Sequence, residues 1–126
     1  MAVKFLSQEW LEILRAGLQG SEEVRAAAKG KEGRIQQVVN TEGDPIFYWV
    51  SFSDGDTDVG MGPIDDATVT VTTSYETAAA LARGDISPTA AFMNGKVDVT
   101  NLMAAMAFQG ALGKFADLIR DIDTEY

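Results

Sequence analysis

Apolar side chains keep a helical spacing at the start of the chain, switch to strict alternation in the middle, and return to helical spacing at the end. Trp10, Leu11, Leu14 and Leu18 fall on one helical face. Ser7 is placed to cap that helix, Leu6 and Leu11 match the hydrophobic staple around an N-terminus, and Gly20 is a natural stop. Ser21 followed by Glu22 and Glu23 predicts a second short helix closed by Gly30, with its carboxylates at the positive end of the dipole. From Arg34 to Asn40 the residues favour a strand, and the run 40–45 (Asn-Thr-Glu-Gly-Asp-Pro) reads as a turn. Ile46 to Ser53 is the strongest strand, and Asp54-Gly55 after it signals a two-residue hairpin returning through a short strand around Asp58 to Met61. In Ala67 to Thr73, Val69 and Val71 alternate with Thr68, Thr70 and Thr72, which predicts a half-buried strand with one wet face.

Helical spacing resumes after Ser74, which caps a segment carrying Tyr75, Ala78, Ala79, Leu81 and Ala82 and ending at Gly84. Ser87-Pro88 starts another short helix that stops at Asn94-Gly95. Lys96 to Val99 is a last strand, and Thr100 or Asn101 caps a long helical stretch reaching about Ile122. The predicted order is α-α-β-β-β-β-α-α-β-α. Strands joined by tight turns must be largely antiparallel, and helices segregated from them point to a two-layer α+β domain of about five strands. No linker or repeat divides residues 1–126, so a single domain is expected.

Composition narrows the chemistry. The 126 residues include neither Cys nor His, which removes disulfides, thiolate nucleophiles, Cys/His zinc sites and imidazole bases. Nineteen acidic against ten basic residues give a formal charge of −9. That field repels phosphate backbones, so nucleic acid is not an expected partner, and contact with an anionic membrane is transient at most. Glu9 and Glu12 interrupt the start before an apolar leader can develop, no apolar run is long enough to span a bilayer, and the run 123–126 (Asp-Thr-Glu-Tyr) is not a peroxisomal Ser-Lys-Leu signal. A cytoplasmic location is the expectation.

Two segments carry more apolar surface than one core requires. In the last helical stretch Leu102, Met103 and Met106 share a face, while Phe108, Leu112, Phe115 and Ile119 lie roughly opposite. Either the helix breaks near Gly110 or Gly113, or its second stripe meets a lipid, a partner subunit or the N-terminal helices. In the strand 46–53, Ile46, Tyr48, Val50 and Phe52 form the core or cavity side. Phe47 and Trp49 share the other face with Ser51 and Ser53, under the N-terminal helices or in a homodimer contact.

Motifs for other chemistry fail. Asp54-Gly55-Asp56-Thr57-Asp58 imitates a calcium loop but has Val59 and Asp65 where glycine and glutamate are required, so it reads as a solvated hairpin tip. Gly60-Met61-Gly62 lacks the third glycine and the following helix of a nucleotide loop. Asp65-Asp66 and Glu22-Glu23 have no companion nucleophile or electrophile, and none of the six serines lies in Gly-x-Ser-x-Gly. No cofactor, metal or catalytic residue is expected, and the chain reads as a non-enzyme.

The segment 81–97 (Leu-Ala-Arg-Gly-Asp-Ile-Ser-Pro-Thr-Ala-Ala-Phe-Met-Asn-Gly-Lys-Val) resembles the sterol-carrier-protein-2 family, in which a helix ends in Gly, a short turn leads to Ala-Phe, and Gly-Lys opens the last strand. The alternating strand before Ser74, Asp54-Gly55 after an aromatic strand, and the Leu- and Met-rich helix after Val99 follow the same order. The likeness covers roughly residues 34–115. It departs where the family commonly has Gly-Asp or Gly-Asn and this chain has Thr100-Asn101, and the ending suggests a bacterial relative. The resemblance implies an SCP2-like α+β fold, with an antiparallel sheet roofed by helices around an apolar tunnel for fatty acid, acyl-CoA, sterol or phospholipid. On this chain it implies Tyr48, Val50, Phe52, Val71, Leu81 and Phe92 as floor and wall. Met103, Met106, Phe108, Leu112 and Phe115 would form roof and entrance, with release as the last helix lifts at Gly110 or Gly113. The competing expectation is an accessory module that dimerises or partners a lipid- or aromatic-metabolising enzyme and holds no ligand of its own.

Overall fold

The strand predicted most strongly, β3 (Ile46–Ser53), lies between β4 (Asp56–Met61) and β2 (Glu32–Asn40); β5 (Val69–Ser74) and β6 (Val97–Val99) complete a sheet ordered β4-β3-β2-β5-β6. The computed structural model describes residues 2–125, with the side chains of 88, 89 and 109 excepted; Tyr126 lies outside the described residues. β5 runs parallel to β2, and every other neighbouring pair in this sheet is antiparallel. The helices are α1 (Gln8–Gly20), α2 (Glu22–Ala28), α3 (Tyr75–Arg83), α4 (Pro88–Met93), α5 (Leu102–Ala107) and α6 (Gln109–Asp121). The fold is α+β with a mainly antiparallel five-stranded sheet, as the patterning predicts.

The local signals act where the sequence puts them. Hydroxyls of Ser7, Ser21, Ser74 and Ser87 accept hydrogen bonds from the amides of Trp10, Val24, Thr77 and Ala90 at 3.1–3.2 Å, and Asn101 rather than Thr100 caps α5. Gly84 ends α3 in the left-handed region (φ 80°), where its amide and that of Asp85 close the last turn. Asp54 and Gly55 both have positive φ, 47° and 96°, which gives the hairpin a twist matching its strands.

Four features differ from the sequence reading. First, β1 (Val3–Lys4) and β7 (Thr124–Glu125) form a separate parallel pair, and two residues are too few to leave a pattern. Second, the final helical stretch is two helices that meet at Phe108, not a single helix broken at a glycine; Gly110 and Gly113 both lie within α6. The Phe108 amide is shared between the carbonyls of Ala104 and Ala105, and its ring stacks on Phe52 with centroids 5.3 Å apart.

Third, the N-terminal helices cover the even-numbered face of β3 and leave Phe47 and Trp49 uncovered by them. Trp10 meets Tyr48 edge to face at 5.9 Å, and Trp10, Leu14 and Leu18 are buried with Ile35, Val50 and Val69. On the opposite face Trp49 lies over Gly60, where a Cβ would sit 2.3 Å from the indole, and the Arg34 guanidinium lies 5.6 Å from the ring. The β4–β5 connection crosses this face and is held by the buried amide of Gln36, which donates to the Tyr48 and Gly62 carbonyls and accepts from the Ile64 amide at 2.6 Å. Fourth, the hairpin tip is docked rather than solvated. The Asp54 carboxylate accepts from the Gly30 amide at 2.8 Å, and buried Gly55 donates to the Ala28 carbonyl. Among the described residues no helix is long and apolar enough to cross a membrane.

Candidate functional site: an apolar cavity under α3 and α6

The inner face of the sheet is filled unevenly. Toward β4 it is occupied by large side chains from α1, with Val24 and Ala28 of α2 completing the seal. Toward β5 the roof is α3 and α6, and its inward positions include the small residues Ala78, Ala82 and Ala116. A strand-to-helix gap lined by alanine holds less than one lined by leucine, so a cavity of about 150 Å³ remains. Phe5, Val39, Tyr48, Val71, Leu81, Leu112, Phe115 and Ile119 supply its apolar wall, and Gln37 and Thr73 join Tyr48 as its polar side chains.

Five of the residues picked from the sequence meet there: Tyr48 on the floor, Val71 beside it, Leu81 on α3, and Leu112 and Phe115 on α6. The others lie elsewhere. Val50 and Phe52 share the inner face but are packed solid, and Phe108 is buried against Phe52. Phe92 is exposed on α4, and Met103 and Met106 are 84% and 63% exposed on α5, because the break at Phe108 separates their helix from the roof. The alternation missed Gln37 and Thr73 because both are polar at inward positions, yet their register gives them away: Gln37 faces Tyr48 and Val71, and Thr73 faces Val39.

Burial raises the Tyr48 phenol well above its ordinary range, so the cavity floor carries a neutral hydroxyl at any physiological pH. Among the described residues no Asp, Glu, Lys or Arg lines the cavity. A larger hollow of about 610 Å³ lies beside α2, but Glu22, Arg25, Lys29 and Asp54 line it, and its character is that of charged surface. Among the described residues no cluster of acidic side chains could hold a metal ion. In the loop 54–58 that imitates a calcium site, Asp54 is tied to Gly30 and Asp58 to Arg15.

A family model for SCP-2 sterol transfer proteins matches residues 12–113. The chain belongs to the SCP-2 sterol transfer family. SCP-2 architecture recurs in solved structures of low sequence identity. One described as sterol carrier protein 2 is 17% identical with a TM-score of 0.81, covering 94% of this chain and 99% of its own. A Thermus thermophilus protein described as possibly a sterol carrier protein is 16% identical with a TM-score of 0.80, covering 98% and 93%. The apo form of sterol carrier protein 2 from Yarrowia lipolytica is 23% identical with a TM-score of 0.66, covering 96% and 97%. No curated protein matches the sequence significantly. Membership of SCP-2 supports a role in binding or transferring hydrophobic lipid.

Proposed function

We propose that this protein is a non-catalytic intracellular carrier that binds a hydrophobic ligand between the β2–β3–β5 floor and the α3–α6 roof. The observation that carries the reading is the apolar, charge-free cavity inside an otherwise well-filled core. Binding there needs no chemistry. Each methylene moved out of water contributes about 0.8 kcal/mol. A volume near 150 Å³ matches a void known to accept a benzene-sized group, so a ring or a short stretch of chain fits without rearrangement. A longer tail requires α6 to move away from α3. That motion is bounded, since Phe108 anchors the start of α6 and the β1–β7 pair ties down the segment after its end.

Mass spectrometry of the freshly purified protein, native and then after solvent extraction, tests the reading. The expected result is a stoichiometric lipid or other apolar molecule that disappears on extraction. A clean apo mass, with no binding of either a fluorescent fatty acid or an uncharged fluorescent hydrophobe at micromolar concentration, sinks it. The second reading, an accessory module without a ligand, is favoured by one observation. Phe92, Met93, Leu102, Met103 and Met106 on α4 and α5 are exposed apolar side chains of a kind that partners cover.

A further inference from the structure

The cavity's polar side chains are as informative as its apolar wall. Gln37 and Tyr48 are directly paired across β2 and β3, and Thr73 is the diagonal neighbour of Gln37 on β5. Inward side chains so related stand about 5–8 Å apart, close enough to address one small group. Tyr48 and Thr73 are more than nine-tenths buried. None of the hydrogen bonds formed among the described residues involves the side-chain amide of half-buried Gln37, the Tyr48 hydroxyl or the Thr73 hydroxyl, whereas the side chain of the neighbouring Gln36, on the other face, is fully engaged. Together the three groups offer donors and acceptors of both kinds.

A fixed negative charge is poorly served there. Cationic side chains on the roof helices are held by surface carboxylates: Arg83 by Asp85 at 2.9 Å, Lys114 by Glu23 at 3.4 Å, and Arg120 by Asp117. The molecule's charge of −9 adds a repulsive field. Burial already suppresses ionisation of the Tyr48 phenol, and the same environment disfavours a carboxylate entering without a counter-ion. We propose that Gln37, Tyr48 and Thr73 form an internal hydrogen-bonding subsite selecting a neutral ligand, one whose hydroxyl or carbonyl leads into the cavity, over a carboxylate of the same size. The proposal rests on the ligand-binding reading above and goes beyond it by naming the head group.

Calorimetric titration of the full chain at pH 7 with 4-butylphenol, 4-butylbenzoate and butylbenzene separates the two. The phenol is expected to bind at least about tenfold more tightly than either the benzoate or the plain arene. Tyr48→Phe, Gln37→Leu and Thr73→Val should each erode the phenol's advantage by several-fold while leaving butylbenzene binding equal or tighter. Tyr48→Phe removes one oxygen and keeps the ring, so the test survives if a strand variant fails to fold. Equal affinities for the three compounds, or a preference for the benzoate, overturn the subsite and leave the carrier reading standing. Absence of binding by all three, with a clean apo mass, overturns both.

Discussion

The two ends of the inner sheet face are built from similar strands and roofed by helices of similar length, yet they are packed to different standards. Under α1 and α2, Trp10, Leu14, Leu18, Ile35, Val50 and Phe52 leave no useful space, and Trp10 is wholly buried with its indole N–H unpartnered. Under α3 and α6, alanines face the floor, polar side chains point into the core, and a void survives. A buried donor without a partner is tolerated at the packed end because apolar contact around the indole compensates for it. At the loose end three polar groups accompany missing volume, which is a poor arrangement for stability and a useful one for admitting a guest. One end is filled, and the other keeps a void.

The contrast can be broken most forcefully at the packed end. Trp10→Ala should destabilise by about 3–5 kcal/mol, read as a lower urea midpoint with an unchanged slope. A loss below about 1 kcal/mol would mean that this end is also slack. Filling the loose end is the reciprocal experiment. Ala82→Leu, which adds a branched side chain toward the void, should leave the melting temperature equal or higher. Ligand affinity should fall about tenfold, the equivalent of two lost methylene contacts. A variant that melts early but binds normally would place the cavity elsewhere.

Alkaline pH sharpens the comparison further. The Tyr48 phenol is raised in the folded state, so its contribution is complete below the unfolded value near pH 10 and is lost progressively as pH climbs from there toward the folded value. Tyr48→Phe should therefore lose less stability than the parent between about pH 9 and pH 11, measured by denaturant midpoints at each pH; parallel curves would contradict the burial of this hydroxyl. The smallest effect belongs to α6. A Cβ at Gly110 or Gly113 meets nothing within 4 Å, so Gly110→Ala and Gly113→Ala should each stabilise by about 0.5–1 kcal/mol and leave ligand exchange rates unchanged. Slower exchange would locate the flexing inside α6 instead of at its anchored ends.

Legibility followed the range of the interactions. Ser7, Ser21, Ser74, Ser87 and the Asp54-Gly55 turn act through bonds to residues close in sequence, and each works where its local pattern puts it. Alternation finds Tyr48 and Val71, and helical spacing finds Leu112 and Phe115. Helical spacing also picks out Ala78 and Ala82 but not the void beside them, because empty space depends on how far a strand and a helix stand apart, and no period encodes that distance. The family resemblance puts Met103 and Met106 on the roof beside Phe108, whereas α5 ends at Ala107 and leaves both methionines exposed. The stacking of Phe108 on Phe52, with Gly33 leaving room for the ring, is a long-range packing event that ends the period.

The parallel pairing of Val3 with Thr124 and Lys4 with Glu125 brings the two ends of the described chain to one place. A fold entered and left at the same point behaves as a cassette. It can be spliced into a surface turn of an unrelated host without stretching either partner, or its ends can be joined and a new opening cut at the 40–45 turn. The β1–β7 clasp thus makes the domain portable, a property separate from anything its cavity holds.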